Sequence, residues 1–537
     1  MASDGKAAAA APVGAPQKLI VEGQATIPYS EGNEVFYNKV QIFNRDLSIH
    51  VIKLFVEKRL RENAEKALRK RKKTEGAEVT ESEIAELDKV DWAAKAEETA
   101  GTEGVHILDA LAATALRSVR YLKEIPGVKQ VTVNDLDEAA VEAARRNMEY
   151  NKIPPGKVSV QQGDATIVMY SHRMPQTERF DVVDLDPYGS AAPFLDAAAV
   201  SEGGLICVTC TDMAVLSGSH VEKCYVQYGS VPTKARYLHE MALRIVLHAL
   251  QTSAGRYKRY IVPMLSCSID FYVRLFVRVY TSPSELKKAC LRTAYVHQSA
   301  ACPSFFLQDV VRHNGKNYTP GMMSAPAQCP QTGARMKVGG PMWSAPIHDM
   351  RWVRDLLKRI ECASGPLVPS TKKRIHGVLT AVSEELQDVP LYYTLPDLCG
   401  ILHCNTPRMA EMQAAILNAG YRVSQSHRDP TAVKTDAPGE VVWDILRCWV
   451  KKHPISSKRK NKEGEGGGAS LSPGATILAK EPEHQADFTV PASLRAQKAQ
   501  AKAQAVRWAQ NPEAYWGPKH RAKGGGGSSA GNASRAV

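Results

Sequence analysis

From Val105 onward, short apolar runs alternate with amphipathic stretches at a spacing that predicts a parallel sheet flanked by helices. VHILDAL reads as a first strand, TALRSVRYLKEI as an amphipathic helix and KQVTVNDLD as a second strand. A helix over DEAAVEAARRNMEYN, strands over VSVQQGDA and FDVVDLD, a helix over APFLDAAAV and a strand over GGLICVTCTD continue the pattern. A long amphipathic helix, KARYLHEMALRIVLHAL, and two strands, RYIVPMLSCS and FYVRLFVRVYT, close it. The expected fold class is α/β: a Rossmann-like, mostly parallel sheet with helices on both faces. Before it, Leu19 to Ser48 reads as strands and turns, and Leu54 to Lys95 as helix with a basic and then an acidic run, as in a solvated hairpin.

Turn residues fill Val296 to Pro346, which is expected to be irregular. Helical periodicity then returns over MRWVRDLLKRIECA, KRIHGVLTAVSEEL, TLPDLCGILH and RMAEMQAAILNAG, the last with Thr406 as N-cap and Gly420 at its C-terminal end. With the strand candidate YRVSQSH, these helices suggest a winged-helix-like second domain. The expected organisation is a disordered leader (1–18), a sheet domain (19–295) with a charged helical insertion (54–102), a loop-rich connector (296–346), the helical domain (347–455) and a basic, largely disordered tail (456–537) holding a short NPEAYWGP segment.

Composition narrows the class: 44% hydrophobic and 23% charged residues exclude collagen, a disulfide scaffold and wholesale disorder. Lys and Arg number 69 against 56 Asp and Glu, a net charge of +13, which points to a polyanionic partner. Residues 451–537 hold 15 basic and 6 acidic side chains, so most of that surplus is C-terminal. Eleven scattered cysteines without an apolar signal peptide fit a reducing, intracellular compartment. The most apolar stretch, Ile261 to Tyr280, is interrupted by Asp270, Arg274 and Arg278, so no membrane span is expected. KKHPISSKRKNK, Lys451 to Lys462, has a bipartite look that favours the nucleus, with cytoplasmic or mitochondrial placement left open; a monomer is expected.

In an open parallel sheet the ligand lies beyond the carboxyl ends of the strands, and Asp109, Asp135, Asp164 and Asp186 close the first four. Asp135 suits the two hydroxyls of a ribose and Asp164 an adenine amino group. The loop DALAATALR lacks GxGxxG, so a pyrophosphate cradle is disfavoured and S-adenosylmethionine, an adenosine without phosphates, is the better cofactor candidate. Each Asp taken singly is equally a helix N-cap at a strand–helix junction. FDVVDLDPYGS shifts that balance. The lone pair of an aryl amine is delocalised into its ring, so methylating it calls for a carboxylate that accepts a hydrogen bond from N–H and then the proton. Asp186 supplies the carboxylate, Pro187 a rigid turn and Tyr188 a face for a base to stack on.

The sequence resembles the tRNA (guanine-26-N2)-dimethyltransferase family. EVFYNKVQIFNRDLS, DALAATALRSVRY, VNDLD, FDVVDLDPYGS, CVTCTDMAVLSG, HEMALRIVLH, GGPMW, PLYYTL and AVKTDAP follow its pattern over most of Ile27 to Trp449, with an echo at NPEAYWGPKHR. The resemblance implies a class I methyltransferase domain, a family-specific C-terminal domain and mono- then dimethylation of guanine 26 in tRNA with S-adenosylmethionine. Arg45 and Arg117 would then hold the cofactor carboxylate and its neighbourhood, with Asp109 lining the same crevice. Asp135 would take the ribose, and Asp164 with Ala165 the adenine. Phe36 would face Tyr188 across the guanine, with Asp186 as acceptor. Two departures stand out. Thr114-Ala115 replaces the usual Ser-Gly or Thr-Gly. The CxxC…CxxC zinc ribbon of many relatives is reduced to Cys302 and Cys329, with Ser299 and Thr332 at the other two positions and only His297 and His313 as substitutes, so no metal is expected. Two other readings compete: a methyltransferase for protein or small molecules, and an inactive or differently targeted nucleic-acid-binding protein using the helical domain and basic tail.

Overall fold

The computed structural model describes residues 17–30, 37–99, 104–173, 178–196, 200–365, 368–455, 471–496, 499 and 506–512. Residues 1–16 of the leader, Phe36 and most of NPEAYWGP lie outside these residues, whereas Gln17 and Lys18, placed at the end of the leader, are strand. A hairpin of β1 (Gln17–Glu22) and β2 (Ala25–Ser30) precedes α1, which runs 33 residues from Ile42 to Thr74. The turns expected up to Ser48 are therefore helix from Ile42 on. Phe43 to Val56 is buried nearly all round, Asn44, Asp46, Ser48 and His50 included, and a helix without a wet face shows no amphipathic period. Its C-terminal half, with α2 (Glu81–Lys89) and α3 (Trp92–Glu98), is the charged hairpin. Pairs such as Arg61–Glu65 at 3.0 Å lie on its surface and contribute little stability.

The sheet follows in the expected order: β3 (Val105–Asp109), α4 (Leu116–Glu124), β4 (Val128–Asp135), α5 (Glu138–Tyr150), β5 (Val158–Gln162), α6 (Ala165–Ser171), β6 (Phe180–Leu185), α7 (Ala192–Leu195) and β7 (Val200–Cys210). Next come α8 (Met213–Leu216), α9 (Val221–Tyr228), α10 (Leu238–Arg256), β8 (Arg259–Ile269), β9 (Tyr272–Thr281) and α11 (Pro283–Lys287). The seven strands lie in the order β5-β4-β3-β6-β7-β9-β8, parallel from β5 to β7, with β9 antiparallel to both β7 and β8. Strand order reverses at β3 and β6, and a crevice opens beyond such a switch point.

The connector is less irregular than its turn residues suggest. β10 (Thr293–Ser299), β11 (Phe305–Asp309) and, after the hairpin β12 (Val311–His313) and β13 (Tyr318–Pro320), β14 (Met336–Trp343) build a three-stranded sheet in the order β11-β10-β14. Periodicity groups α12 (Met350–Cys362) and α13 (Lys372–Glu384) with the second domain, yet Trp352, Leu356, Ile375 and Leu379 pack into the same core as Phe55, Val119 and Val131. Lys58–Asp355 at 2.6 Å and a Glu57–Arg359 pair fasten α12 to α1.

The C-terminal unit comprises β15 (Tyr393–Thr394), α14 (Leu395–Leu402), α15 (Met409–Asn418), β16 (Val423–Ser424), β17 (Ala432–Thr435) and α16 (Gly439–Lys452), with the sheet ordered β15-β17-β16. The cap of α15 falls at Arg408, whose N–H donates to Glu411, rather than at Thr406, while Gly420 takes left-handed backbone at φ +88° after the helix. Part of the tail is folded. α17 (Pro473–Leu478) lies on α14, and residues 506–512 reach back to α13 and to Asp270. A Cβ at Gly474 would sit 2.2 Å from the Ile401 carbonyl oxygen, so only glycine permits that approach.

Candidate active site

The four acids meet at one rim because each ends or follows a parallel strand: Asp109 ends β3, Asp135 ends β4, Asp164 follows β5 and Asp186 follows β6. Asp135 accepts the Ala113 N–H at 2.8 Å and the Asp137 N–H at 3.0 Å, which ties the loop after β3 to the end of β4. Ala113 and Ala115 in that loop hold left-handed backbone at φ 47° and 57°. Left-handed backbone costs alanine about 1–2 kcal/mol, a cost that glycine does not carry. Asp164 is exposed and caps α6, its Oδ1 accepting from Thr166 at 2.7 Å and Ile167 at 3.2 Å. Ala165 opens that helix and is buried. The capping role open to each of these acids thus holds at Asp164.

Beneath the rim lies a charge cluster that strand pattern alone did not reveal. Asp184, fully buried in β6, accepts from Arg274 at 2.8 and 3.2 Å and from the Tyr121 hydroxyl, with Arg117 at 3.6 Å. Burial raises its carboxyl, but Arg274 and Arg117 outweigh it and hold the group below the usual carboxylate range. Arg117 also donates to Asp186 Oδ2 and, at 3.3 Å, to Ser48. Burial opposes its charge, and Asp186 and Asp184 overcome that and raise it well above the ordinary guanidinium value. Asp109 has no arginine of its own. Burial and then Asp184 push it up to about 7, against a 2.5 Å hydrogen bond from Ser118 Oγ. The sequence did carry a sign of this cluster, since an acid inside an apolar strand must find a cation.

Both arginines assigned to the cofactor carboxylate are held by protein carboxylates here. Arg45 grips Glu22 through two nitrogens at 2.6 Å each and donates to the Asn38 carbonyl at 3.0 Å. Glu22 also binds Arg120 at 2.7 Å, and Arg120 reaches Asp46 at 2.8 Å, so β1 is locked to α1 and α4. Glu22 was missed because an acid at the end of a hairpin strand looks solvated.

Asp186, 24% exposed, and Tyr188, 45% exposed, stand at the crevice mouth on a turn completed by Gly189 at φ +84°. Gly189 exchanges two hydrogen bonds with Thr211, each 2.9 Å. Ser190 meets the Tyr228 hydroxyl at 2.7 Å, and that hydroxyl donates to Asp212. Thr211 and Asp212 close β7 and answer to the same strand-end rule as the four acids. Phe36 lies outside the described residues, so its partnership with Tyr188 stays an expectation.

The degenerate ribbon positions converge. The Cys302 and Cys329 sulfurs are 3.5 Å apart, with Ser299 and Ser304 hydroxyls 3.4 and 3.3 Å from Cys302. Two thiols and hydroxyls do not match the four N or S donors of structural zinc. Elsewhere His348, Glu385 and His427 bring ligand atoms within 4.8 Å of one another. The His427 Nε2 lone pair accepts the Ser268 N–H at 3.1 Å, so Nδ1 carries the proton and donates to Glu385 at 2.7 Å. His348 Nδ1 likewise accepts from Ser266 at 3.2 Å. These rings fasten elements rather than offer lone pairs.

Residues 14–447 match the family model described as N2,N2-dimethylguanosine tRNA methyltransferase. The chain is 43% identical over 539 residues to the tRNA (guanine(26)-N(2))-dimethyltransferase of Mus musculus, covering 95% of this chain and 78% of that one. It is 44% identical over 540 residues to tRNA (guanine(26)-N(2))-dimethyltransferase 1 of Arabidopsis thaliana, covering 94% and 88%. Among solved structures, Trm1 of Pyrococcus horikoshii in complex with S-adenosyl-L-methionine superposes with a TM-score of 0.61 at 24% identity, over 79% of this chain and 98% of that one.

Proposed function

The chain belongs to the N2,N2-dimethylguanosine tRNA methyltransferase family, and from that premise we propose that the rim of β3 to β6 is where it acts, with Asp186 as the acceptor for the reacting amine. The protein is a tRNA (guanine-26-N2)-dimethyltransferase that uses S-adenosylmethionine. The cofactor supplies an electrophilic methyl group on a sulfonium. Asp135 at the end of β4, tied to the turn Ala112–Ala115, suits its ribose hydroxyls, so the residues present fit the group.

The observation that carries the assignment is the coupling of Asp186 to Arg117 beside the exposed Tyr188. Arg117 engages Oδ2 and fixes the carboxylate plane. Oδ1 then accepts a hydrogen bond from guanine N2–H, which returns lone-pair density to nitrogen, and takes the proton as the N–C bond forms. Tyr188 offers its ring to the guanine face, and Phe36 is assigned the opposite face. Asp164 and Ala165 flank the adenine. Arg45 would act on the cofactor carboxylate through Nη1, since Nε and Nη2 are held by Glu22. The Lys451–Lys462 run supports nuclear placement, and we assign a monomer. Among the described residues no helix is long and apolar enough to cross a membrane.

Nucleoside mass spectrometry of a tRNA transcript after incubation with labelled cofactor tests this reading. Mono- and then dimethylguanosine are expected, both lost when position 26 is not guanosine; methylation that persists without G26 would overturn it.

A further inference from the structure

α9 is held mainly by two buried side chains, with Gln227 half-buried, and leaves most of its remaining surface exposed. Cys224 and Tyr228 are buried, whereas Val221 is 39%, Tyr225 61% and Val226 83% exposed. Single exposed apolar residues are ordinary, but Val221 and Tyr225, four residues apart, are neighbours on the helix surface, with Val226 on the adjoining face, and exposed apolar patches mark interaction surfaces. This one is joined to the crevice. Tyr228 bridges Ser190 and Asp212, and Thr211 ties Gly189 to the end of β7, so α9 is hydrogen-bonded to the Asp186–Ser190 turn. Tyr225 precedes Tyr228 by three residues, which puts their Cβ atoms about 5–6 Å apart along the helix.

We infer that the outward face of α9 is a docking surface for the tRNA substrate, with Tyr225 as a stacking residue that positions the strand next to the target base. The inference rests on the reading of Asp186 and Tyr188 as the reacting site. On the helix itself exposed Lys223 is balanced by exposed Glu222, and the basic surface that favours RNA as the occupant lies beside it: Gly218 before the helix packs on the backbone of Lys234, itself exposed. Lys234, Lys337 and Arg236, the last paired with Asp397 at 3.4 Å, line a cleft of ≈ 390 Å³ leading on toward the C-terminal unit. A protein seated here would stand over the turn that a bulky RNA must reach. Bases of any identity stack on an exposed ring, and phosphates supply the sequence-independent share of binding.

In the full-length enzyme, Tyr225→Ala is expected to raise the KM for tRNA by about 5- to 150-fold, the range for removing one ring from beneath a stacked base. Cofactor affinity, melting temperature and the single-turnover rate at saturating tRNA should stay within about threefold, and Tyr225→Phe should restore KM. An unchanged KM in Tyr225→Ala would overturn the inference, as would a change confined to oligomeric state, which would make the face an interface between proteins. A drop in melting temperature that Tyr225→Phe does not cure would overturn it by giving the ring a structural role. Failure of the Asp186 reading is told apart by Asp186→Asn retaining turnover, whatever Tyr225 does.

Discussion

Asp109 sits among Asp184, Asp186 and Arg117 with its carboxyl pushed up to about 7 by burial and then by Asp184. An unfolded aspartate, near about 3.9, binds fewer protons than the folded one between those values, so this group makes stability fall as pH rises from about 4 to about 7. Asp109→Asn keeps the shape and removes the charge. Its melting temperature is expected to exceed the parent's at pH 8, by the equivalent of up to about 4 kcal/mol, and the margin should shrink to about 1.5 kcal/mol at pH 5. Equal margins at both pH values, followed by thermal unfolding, would contradict the account. At this scale the strand-end rule made Asp109, Asp135, Asp164 and Asp186 legible, because position along a strand fixes which rim a residue joins. Asp184, Arg274 and Glu22 were not legible, because their pairing joins segments 90 and 98 residues apart.

Strand β8 is an edge, and its outward amides at Ser266 and Ser268 are taken by His348 and His427. His427 thereby fastens the C-terminal unit to the sheet, and His348 the segment that leads into α12, without extending the sheet. Each imidazole must be neutral to accept. Burial holds His348 down to about 3, below the ordinary value near about 6.5, so its contribution is complete above that pH and declines as pH falls from there toward 3. His348→Ala and His427→Ala each leave an edge amide unpaired and are expected to cost about 1–3 kcal/mol in chemical denaturation. Because both rings serve one strand beside Glu385, the double variant should depart from additivity by at least about 0.5 kcal/mol; strict additivity would show that the two bonds are independent. The alternation from β3 to β9 was readable because strand and helix periods differ. The start of α1 was not, since a helix buried all round has no polar stripe. Nor was the allegiance of α12 and α13, since an apolar stripe does not say which core it joins.

The whole chain is basic, and its tail has two parts with different work. Ile477 is buried, Asp444 accepts the N–H groups of Glu483 and His484 at 3.1 and 3.0 Å, and Phe488 lies edge-on to Trp449. Truncation after Ile455 is therefore expected to destabilise the C-terminal unit by at least about 3 kcal/mol, from lost burial and orphaned hydrogen bonds. Replacing Lys458, Arg459, Lys460 and Lys462 by Gln should instead leave the melting temperature alone and flatten the salt dependence of tRNA binding, by about 0.7–0.9 in log–log slope for each phosphate no longer neutralised. An unaltered slope would return that run to a solvated linker. Glycine and lysine content correctly marked the tail as polar, but a few apolar residues such as Ile477 and Phe488, spaced to meet α14 and α16, were too sparse to register as a folded segment.

The most direct test of the central claim is single-turnover methyl transfer by Asp186→Asn, measured beside cofactor titration. The amide keeps the side-chain shape and still accepts through its oxygen, but it cannot take the proton. Transfer is expected to fall by at least 10²- to 10⁴-fold, equivalent to about 3–5 kcal/mol in the barrier, with cofactor affinity nearly intact. Transfer at the parent rate would contradict the account.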